Sequence, residues 1–537
     1  MAKPKTPNQK RKYGELNKRL AKYVMLVESI YEDLNLEAAK IVGITDFTID
    51  RPFMWSDYPQ TRKRIRDLQE RFVEDIGAVI YSGTSEEWKN SNEVQDLLAN
   101  KVLQTYGATI GKEKYEILYQ PNNDALKAFQ QRKDKGFTIS DKLWNQSTLY
   151  KQELEESISC AIQKGTSAII LSKQISKYLL DFPQLQKDYK ERFGKASRAM
   201  DCEYRSIRLV ASEINMAYRQ AENLRWQQMD FVVGYEIKLS NNHTCNGKPF
   251  QDICDILAGK YPKDFQWTSW HPLCRCYKIP ILKTEEEFWE WDGRNEATTA
   301  SVNEVKDVPD AFKKWVLDNQ ERISTAKKRN TLPYFLRDNK SVYQKITVES
   351  SISEIVKRAS SVGDEVQSIA ERIAIKNGGY VTPINFKSTT SITRKVITEG
   401  ITPYDIKDAV RTTIIVPKSR IEDVLEELYK TEGFLRLKRQ KPESFMVYSG
   451  NIVNIRTTNG LTAEIQVNTE RMIFAKERPE DAKRILGKKR WEEIHNETGM
   501  EGGLGHKYYE QWRILDKSSN EALKIVEKSI EYYSHFR

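Results

Sequence analysis

The sequence predicts a multidomain α+β protein. A largely helical N-terminal half carries a small Cys/His-containing β region, and a C-terminal mixed β-sheet flanked by helices follows. Three observations point there. Apolar residues recur every three or four positions through much of the chain up to residue 230, the period of an amphipathic helix. Between 231 and 280 that pattern gives way to short strand-like runs and a cluster of cysteines and histidines. From about residue 361 onward, helical stripes alternate with β-branched runs, as in a sheet covered by helices.

Residues 12–40 place Leu16, Leu20, Val24, Val27, Tyr31 and Leu34 on one helical face. Asp201 to Met229 lacks Pro and Gly and predicts one long helix carrying Arg205, Arg208, Glu213 and Tyr218. The polar stretch 284–307 reads as a boundary, and a short connecting module runs from Val308 to about residue 350. The expected division is a helical region at 1–195, a Cys/His-bearing core at 196–283, a linker and connecting module at 284–360, and a final domain at 361–537. In that last domain Val366, Ile369, Ala370, Ile373 and Ala374 make a helix stripe that Gly378-Gly379 ends. The run 410–416 is β-branched and predicts a buried strand, and Ile421, Val424, Leu425, Leu428 and Tyr429 mark the next helix. Asn459-Gly460 between two strand-like runs predicts a type I′ hairpin, with both central residues at positive φ.

The chain has 537 residues, 39% hydrophobic and 30% charged, with a net charge of +10. That mild excess suits contact with phosphates or nucleic acid, and a solvated basic surface would account for it equally. No apolar run approaches the roughly 20 residues that span a bilayer, so no membrane is expected. The basic start lacks a following apolar segment and does not read as a secretory signal. The expected setting is a cytosol or the inside of a particle. There, clustered cysteines suggest metal more than disulfides.

The clustered candidates are His243, Cys245, Cys254, His271, Cys274 and Cys276. Thiolates and imidazole at four corners suit tetrahedral Zn²⁺. The spacing is not that of a paired C-x-x-C ribbon, and a small core of buried cysteines is the alternative. A helix with Arg and Glu, a strand, and then H-x-C, C-D, L-A-G-K and the ending HPLCRC resemble the Mu F-like phage head-morphogenesis family over about 200–282. The resemblance implies a minor capsid protein near the portal, present in few copies. It also implies portal and capsid proteins as partners, packaged DNA nearby, and residence in the virion and then the host cytoplasm. It implies no reaction.

Lys387-Ser-Thr-Thr-Ser391-Ile-Thr-Arg394-Lys395 gathers cations and hydroxyls, the donors that phosphate binding needs, although an ordinary basic helix looks the same. Asp405 and Asp408 precede Arg411 and the 410–416 strand. Leu461, Ala463, Ile465 and Val467 share one face of a strand, and Glu464, Gln466 and Asn468 share the other. That polar face is either a pocket floor or a solvated sheet surface. Converging carboxylates suit Mg²⁺ with substrate phosphates. There is no G-x-x-x-x-G-K-[ST] sequence, so no P-loop is expected.

In order, Lys387 to Lys395, Asp408 with Arg411, Tyr448, Glu464-Ile-Gln466-Val-Asn-Thr469 and Glu501-Gly-Gly-Leu-Gly-His506-Lys-Tyr-Tyr509 resemble the RelA/SpoT-type (p)ppGpp synthetases over about 361–520. That family's fold is nucleotidyltransferase-like. The resemblance implies transfer of pyrophosphate from ATP to a ribose 3′-hydroxyl of a guanine or adenine nucleotide. Asp408 and Glu464 would hold Mg²⁺, and Glu464 would assist as a base. Lys387, Ser391, Arg394, Lys395 and Arg411 would contact phosphates, Tyr448 would stack on the acceptor base, and Gln466 and His506 would orient groups. Two departures stand out. Asp408 lies closer to the arginine than the family's acidic residue does, which makes Asp405 a rival. The tyrosine loop reads Val447-Tyr448-Ser449-Gly450-Asn451, which leaves the acceptor open, a tRNA 3′ end included. The compact form looks toxin-like. Among five histidines no H-D pair occurs, so no hydrolase half is expected. The rival to an enzyme is a capsid-associated protein that keeps the fold without the activity. The basic run Lys438, Arg439, Lys441 reads as a solvated loop or a further phosphate or RNA contact.

Overall fold

A computed structural model of the chain describes residues 6–106, 110–162, 166–240, 251–284, 286–287, 300–439 and 450–536, and the backbone alone of 244–245 and 248–249. The chain forms two compact units, Met1–Tyr343 and Gln344–Arg537.

In the first unit the helical stripes become long helices. α1 (Gln9–Val42) starts where the Asn8 side chain accepts from the Arg11 amide, and it buries Leu16, Val27, Tyr31 and Leu34. α2 (Arg62–Tyr106), α3 (Ile139–Ala161) and α4 (Cys202–Gln228) pack with it in a bundle. Tyr31 is the hub of its core, edge-on to Phe72 and Tyr150 with centroids 5.7 and 5.1 Å away. These rings fill the space between helices that smaller side chains would leave as voids. Beyond α4 come β1 (Val232–Lys238), a short pair β2 (Thr244–Cys245) and β3 (Lys248–Pro249), α5 (Ile253–Leu257), β4 (Gly259–Tyr261) and β5 (Tyr277–Leu282). β1 lies between β4 and β5, antiparallel to both. Most of the segment 308–343, expected as a connecting module, is helical and belongs to this unit. Asn339 donates to the Gln266 carbonyl at 2.7 Å, and Arg337 pairs with Asp134 at 2.8 Å.

α6 (Lys340–Ser361) leads into the second unit, followed by α7 (Gly363–Lys376), β6 (Tyr380–Val381), β7 (Asn385–Phe386) and α8 (Thr389–Glu399). β8 (Val410–Ile415), α9 (Ile421–Tyr429), β9 (Phe434–Lys438), β10 (Asn451–Arg456) and β11 (Thr462–Asn468) come next. The sheet order is β6-β8-β11-β10-β9, with β7 also on β8; β8 and β11 run parallel and the other pairs antiparallel. Ala463, Ile465 and Val467 enter the core with Val366, Ala370, Ile414 and Leu425.

The hairpin differs from expectation. Gly460 has φ +81°, but Asn459 is not at positive φ, so the turn is not type I′. Gly460 donates to the Thr457 carbonyl at 2.8 Å, which makes Thr458 and Asn459 the central residues of an ordinary turn. The reason is tertiary. The Asn459 amide donates to the Arg358 carbonyl at 2.9 Å and to Ser361 Oγ at 3.0 Å, and Glu365 accepts from Thr458. Those bonds to neighbouring helices override the dipeptide's local preference.

α10 (Glu470–Lys476), α11 (Lys488–Thr498), α12 (Leu504–Arg513) and α13 (Asn520–Ser534) close the unit around Phe474, Tyr532, Tyr533 and Phe536. Gly505 is required there by close approach, because a β-carbon would overlap the Tyr533 hydroxyl. Among the described residues no helix is long and apolar enough to cross a membrane.

Candidate active site

The site grows from the pairing of β7, β8 and β11. β7 sets Asn385 opposite Arg411, and the Lys387 amide then bonds the Ala409 carbonyl at 2.9 Å. Lys387 is thereby delivered beside Asp408, and its ammonium bonds Asp408 Oδ2. α8 begins at once, capped by Ser388, whose Oγ accepts from the Ser391 amide at 3.2 Å. Two turns on, Lys395 reaches back to Asp408 Oδ1 at 3.0 Å. Asp408 is therefore clamped by two cations. Burial pushes its pKa up, but the ammoniums of Lys387 and Lys395 outweigh that and hold the carboxyl below its usual value. Arg394, one residue earlier on the helix, is exposed and turned away from this clamp. Ser391 Oγ accepts from Ser388 Oγ at 2.9 Å and so belongs to the cap.

Asp405 occupies a different role from Asp408. Its Oδ2 accepts from the Thr402 amide and hydroxyl at 3.1 and 2.8 Å, closing a capping box on the short turn before β8. It makes no bond to the lysines among the described contacts.

The parallel pairing places Glu464 opposite Arg411, at the same end of the strands as Asp408. Gln466, 3% exposed, donates from Nε2 to Glu464 Oε1 at 2.7 Å. Its Oε1 accepts from Lys476 Nζ at 2.6 Å. The polar face of β11 is thus covered at Gln466 and is not a solvated sheet surface, as the alternative reading would have it. Lys476 is buried at the end of α10, and this burial lowers its pKa against the pull of Glu477. Sequence reading missed Lys476. Its only signal is a lysine closing the otherwise apolar run Met472–Ala475. His506 accepts from Arg478 Nε at 3.2 Å, two residues beyond Lys476. Arg439 pairs on the surface with Glu422 at 2.6 Å. Tyr448 and Lys441 lie outside the described residues.

Asp408 and Glu464 are hard oxygen donors at one end of paired strands, the one or two carboxylates Mg²⁺ takes beside substrate phosphates. Glu464 uses only Oε1 toward Gln466, and Asp408 meets exchangeable ammoniums rather than fixed backbone donors. The residues fit the ion.

In the first unit the cysteine cluster is partly assembled. Cys254 Sγ lies 3.1 Å from His271 Nε2 and 3.8 Å from Cys274 Sγ, and the three ligand atoms sit within 4.8 Å of one another. Cys276 is buried as well but is not one of the three gathered ligand atoms. His271 Nδ1 meets the Pro272 carbonyl at 2.7 Å, and Nε2 lies beside both Cys254 Sγ and the Asp252 carboxylate, the latter 3.3 Å away. Burial raises the Cys274 pKa, but the Cys254 and Cys276 thiols and the Arg219 guanidinium draw it net downward. Arg219, fully buried on α4, donates to the carbonyls of Thr268, Cys274 and Cys276 at 2.7, 2.8 and 2.7 Å. The helix and the cysteine segment therefore share one core. His243 and the Cys245 side chain lie outside the described residues.

A mixed sheet, a lysine-clamped aspartate and a glutamate on the adjoining parallel strand accompany a similarity that defines a class. About a third of the chain is similar to a (p)ppApp synthetase. Over 181 residues the chain is 35% identical to the (p)ppApp synthetase toxin Tas1 of Pseudomonas aeruginosa (strain UCBPP-PA14). The match covers 34% of this chain and 41% of that protein, so the chain spans well under half of its relative's length. Among solved structures, the complex between the Type VI effector Tas1 and its immunity protein aligns at 35% identity and TM-score 0.33, covering 35% of this chain and 97% of that one. A GTP pyrophosphokinase family protein from Streptococcus pneumoniae aligns at 19% identity and TM-score 0.22, covering 34% and 85%. No family model matches the chain.

Proposed function

We propose that the second unit transfers the β,γ-pyrophosphoryl group of ATP to the ribose 3′-hydroxyl of a purine nucleotide, as a toxin-like effector. The observation that carries this reading is the clamp of Lys387 and Lys395 on Asp408, with Glu464 on the adjoining parallel strand. Mg²⁺, held by Asp408 and Glu464, would neutralise phosphate charge. Lys387 and Lys395, released from Asp408, bind the phosphates with Arg411, and Arg394 supplies a further cation at the rim. Glu464 takes the proton of the 3′-hydroxyl. The 3′-oxygen bonds Pβ, the bond from Pβ to the bridging α-oxygen breaks, and AMP leaves with that oxygen. Gln466, held by Lys476, orients Glu464. His506 and Ser391 steady the surroundings, and Tyr448 stacks on the acceptor base. The similar toxin is named for (p)ppApp, which supports an adenine acceptor. Its complex with an immunity protein suggests that a cell making this chain carries a comparable antagonist. The test is incubation of the whole chain with γ-labelled ATP and ADP, ATP, GDP, GTP or bulk tRNA. Label should move to a purine nucleotide with AMP released. A folded, Mg²⁺-supplied chain inert toward all five acceptors would leave a structural role instead.

For the first unit the proposal is a head-protein-type carrier in the virion, near portal and capsid proteins and packaged DNA. The HPLCRC segment, anchored through Arg219, carries it. Zinc is assigned to Cys254, His271, Cys274 and Cys276, with Cys245 as the remaining candidate. Mass spectrometry of purified particles should find the chain at low copy; particles complete without it would reject this role.

A further inference from the structure

Three polar side chains of the first unit meet in a buried aromatic pocket. Glu222 and Asn223 are neighbours toward the C-terminal end of α4, and Lys278 stands on β5. Lys278 and Glu222 are fully buried, and Asn223 is 4% exposed. Lys278 Nζ donates to Asn223 Oδ1. It also lies 3.3 Å from Glu222 Oε2, which accepts from the Tyr13 hydroxyl at 2.5 Å. Asn223 Nδ2 is turned to the Trp267 carbonyl, 3.2 Å away. The rings of Trp226, Tyr235 and Trp267 surround the amine, with centroids 4.6, 5.1 and 5.9 Å from Nζ.

Taking an ammonium and a carboxylate out of water is costly, and their attraction repays it only when the remaining hydrogen-bonding positions are filled. Here one is not: Glu222 Oε1 is buried with no hydrogen-bond partner among the described residues. Burial raises the Glu222 pKa against the pull of Lys278 and the Tyr13 hydroxyl. A carboxyl able to hold a proton thus sits beside an amine, and the amine faces a carboxamide. The carbon of that amide lies one C=O bond, about 1.2 Å, beyond Oδ1. Nζ is therefore within roughly 3–3.5 Å of it, the range of a near-attack arrangement. The aromatic walls exclude the water that would compete for the same carbon.

We propose that Lys278 and Asn223 join in an intramolecular isopeptide bond, with Glu222 as its catalytic residue. Glu222 takes one proton from the Lys278 ammonium, and the freed Nζ attacks Asn223 Cγ. As the Nζ–Cγ bond forms, Glu222 passes its proton to Nδ2. The Cγ–Nδ2 bond breaks and ammonia leaves. Nζ then gives a second proton to Glu222 and keeps one, as an uncharged amide. No oxidant, reductant or cofactor enters. The bond replaces a buried ion pair with a neutral group and ties α4 to β5 covalently. It depends on neither the pyrophosphoryl-transfer nor the zinc assignment.

The experiment is mass spectrometry of the whole purified chain, denatured and reduced. Its mass should fall short of the sequence by one ammonia. An Asn-Gly pair such as Asn459-Gly460 also loses ammonia when it cyclises, so the decisive measurement is on peptides. Trypsin should yield 220–225 joined to 276–283 as one branched peptide, uncut after Lys278. Lys278→Arg, which keeps the charge but cannot form the bond, should give 220–225 as a separate linear peptide. Glu222→Gln, its fold checked by circular dichroism, should be mostly unlinked when freshly purified. A folded wild-type chain cut after Lys278, with 220–225 recovered as a linear peptide, overturns the proposal. So does a branch through Glu222, recognised by loss of water in place of ammonia. Complete linkage in folded Glu222→Gln would remove Glu222 from the chemistry and overturn the mechanism.

Discussion

Two aspartates three residues apart have opposite surroundings, and that difference assigns them. Asp408 faces two ammoniums, while Asp405 closes a turn. Asp408→Asn should therefore lower pyrophosphoryl transfer by at least ~10²-fold, the scale of losing one positioned charged group. Glu464→Gln should do the same with its thermal midpoint unchanged, because the two side chains are nearly isosteric. Asp405→Asn should leave turnover intact. Steady-state assays of the three variants check this, and a loss confined to Asp405→Asn would transfer the metal-ligand role. Spacing along the chain did not separate the two aspartates, because both precede the same strand. Only the return of α8 over β7 does. Lys476 was illegible for a related reason: its partner Gln466 is ten residues away, across a turn that local pattern does not specify. If Lys476 fixes the Gln466 amide with its NH₂ toward Glu464, Lys476→Met should cut kcat by about tenfold or more while the KM for ATP stays within about twofold. Lys476→Arg should recover part of the loss. A change in KM alone would place Lys476 in ATP binding.

Elements with a strong period were the readable ones. The stripe from Leu16 to Leu34 and the β-branched run at 410–415 each form the element their pattern dictates, because burial on one face rewards that period alone. The hairpin was read in place but with the wrong turn, since Arg358, Ser361 and Glu365 bind its backbone and side chains from outside. The cysteine segment was legible in ligand type and not in geometry. The missing information was Arg219, a helical residue whose three carbonyl bonds hold Cys274 and Cys276 in place. If that element closes on zinc, metal analysis of the chain purified without chelator should give about one Zn²⁺, and Cys274→Ser should abolish it. A metal-free chain that melts at the same temperature before and after chelation would remove zinc from the account.

At the scale of the molecule, each unit has its own core, one centred on Tyr31, Phe72 and Tyr150 and the other on Val410, Ile414 and Ile465. Unfolding should therefore show two transitions rather than one. The first unit also carries a pH signature of its own. Burial, with Glu28, Asp201 and other acids nearby, pushes Glu203 up to about 7, and burial pushes Glu153 to about 7 despite bonds from the Cys202 and Met200 amides. The unfolded value is near 4.5, so between 4.5 and 7 the folded state binds more protons than the unfolded one. Stability from these groups is fully present below about 4.5 and is lost as pH rises through about 7. Calorimetry should thus find the first unit's transition at higher temperature at pH 5.5 than at pH 8, with Glu203→Gln narrowing that difference. The second unit's transition should not respond to that substitution, nor to zinc chelation. A single transition that moves with both would mean that the two cores unfold together, and the separation of carrier from catalyst would fail with it.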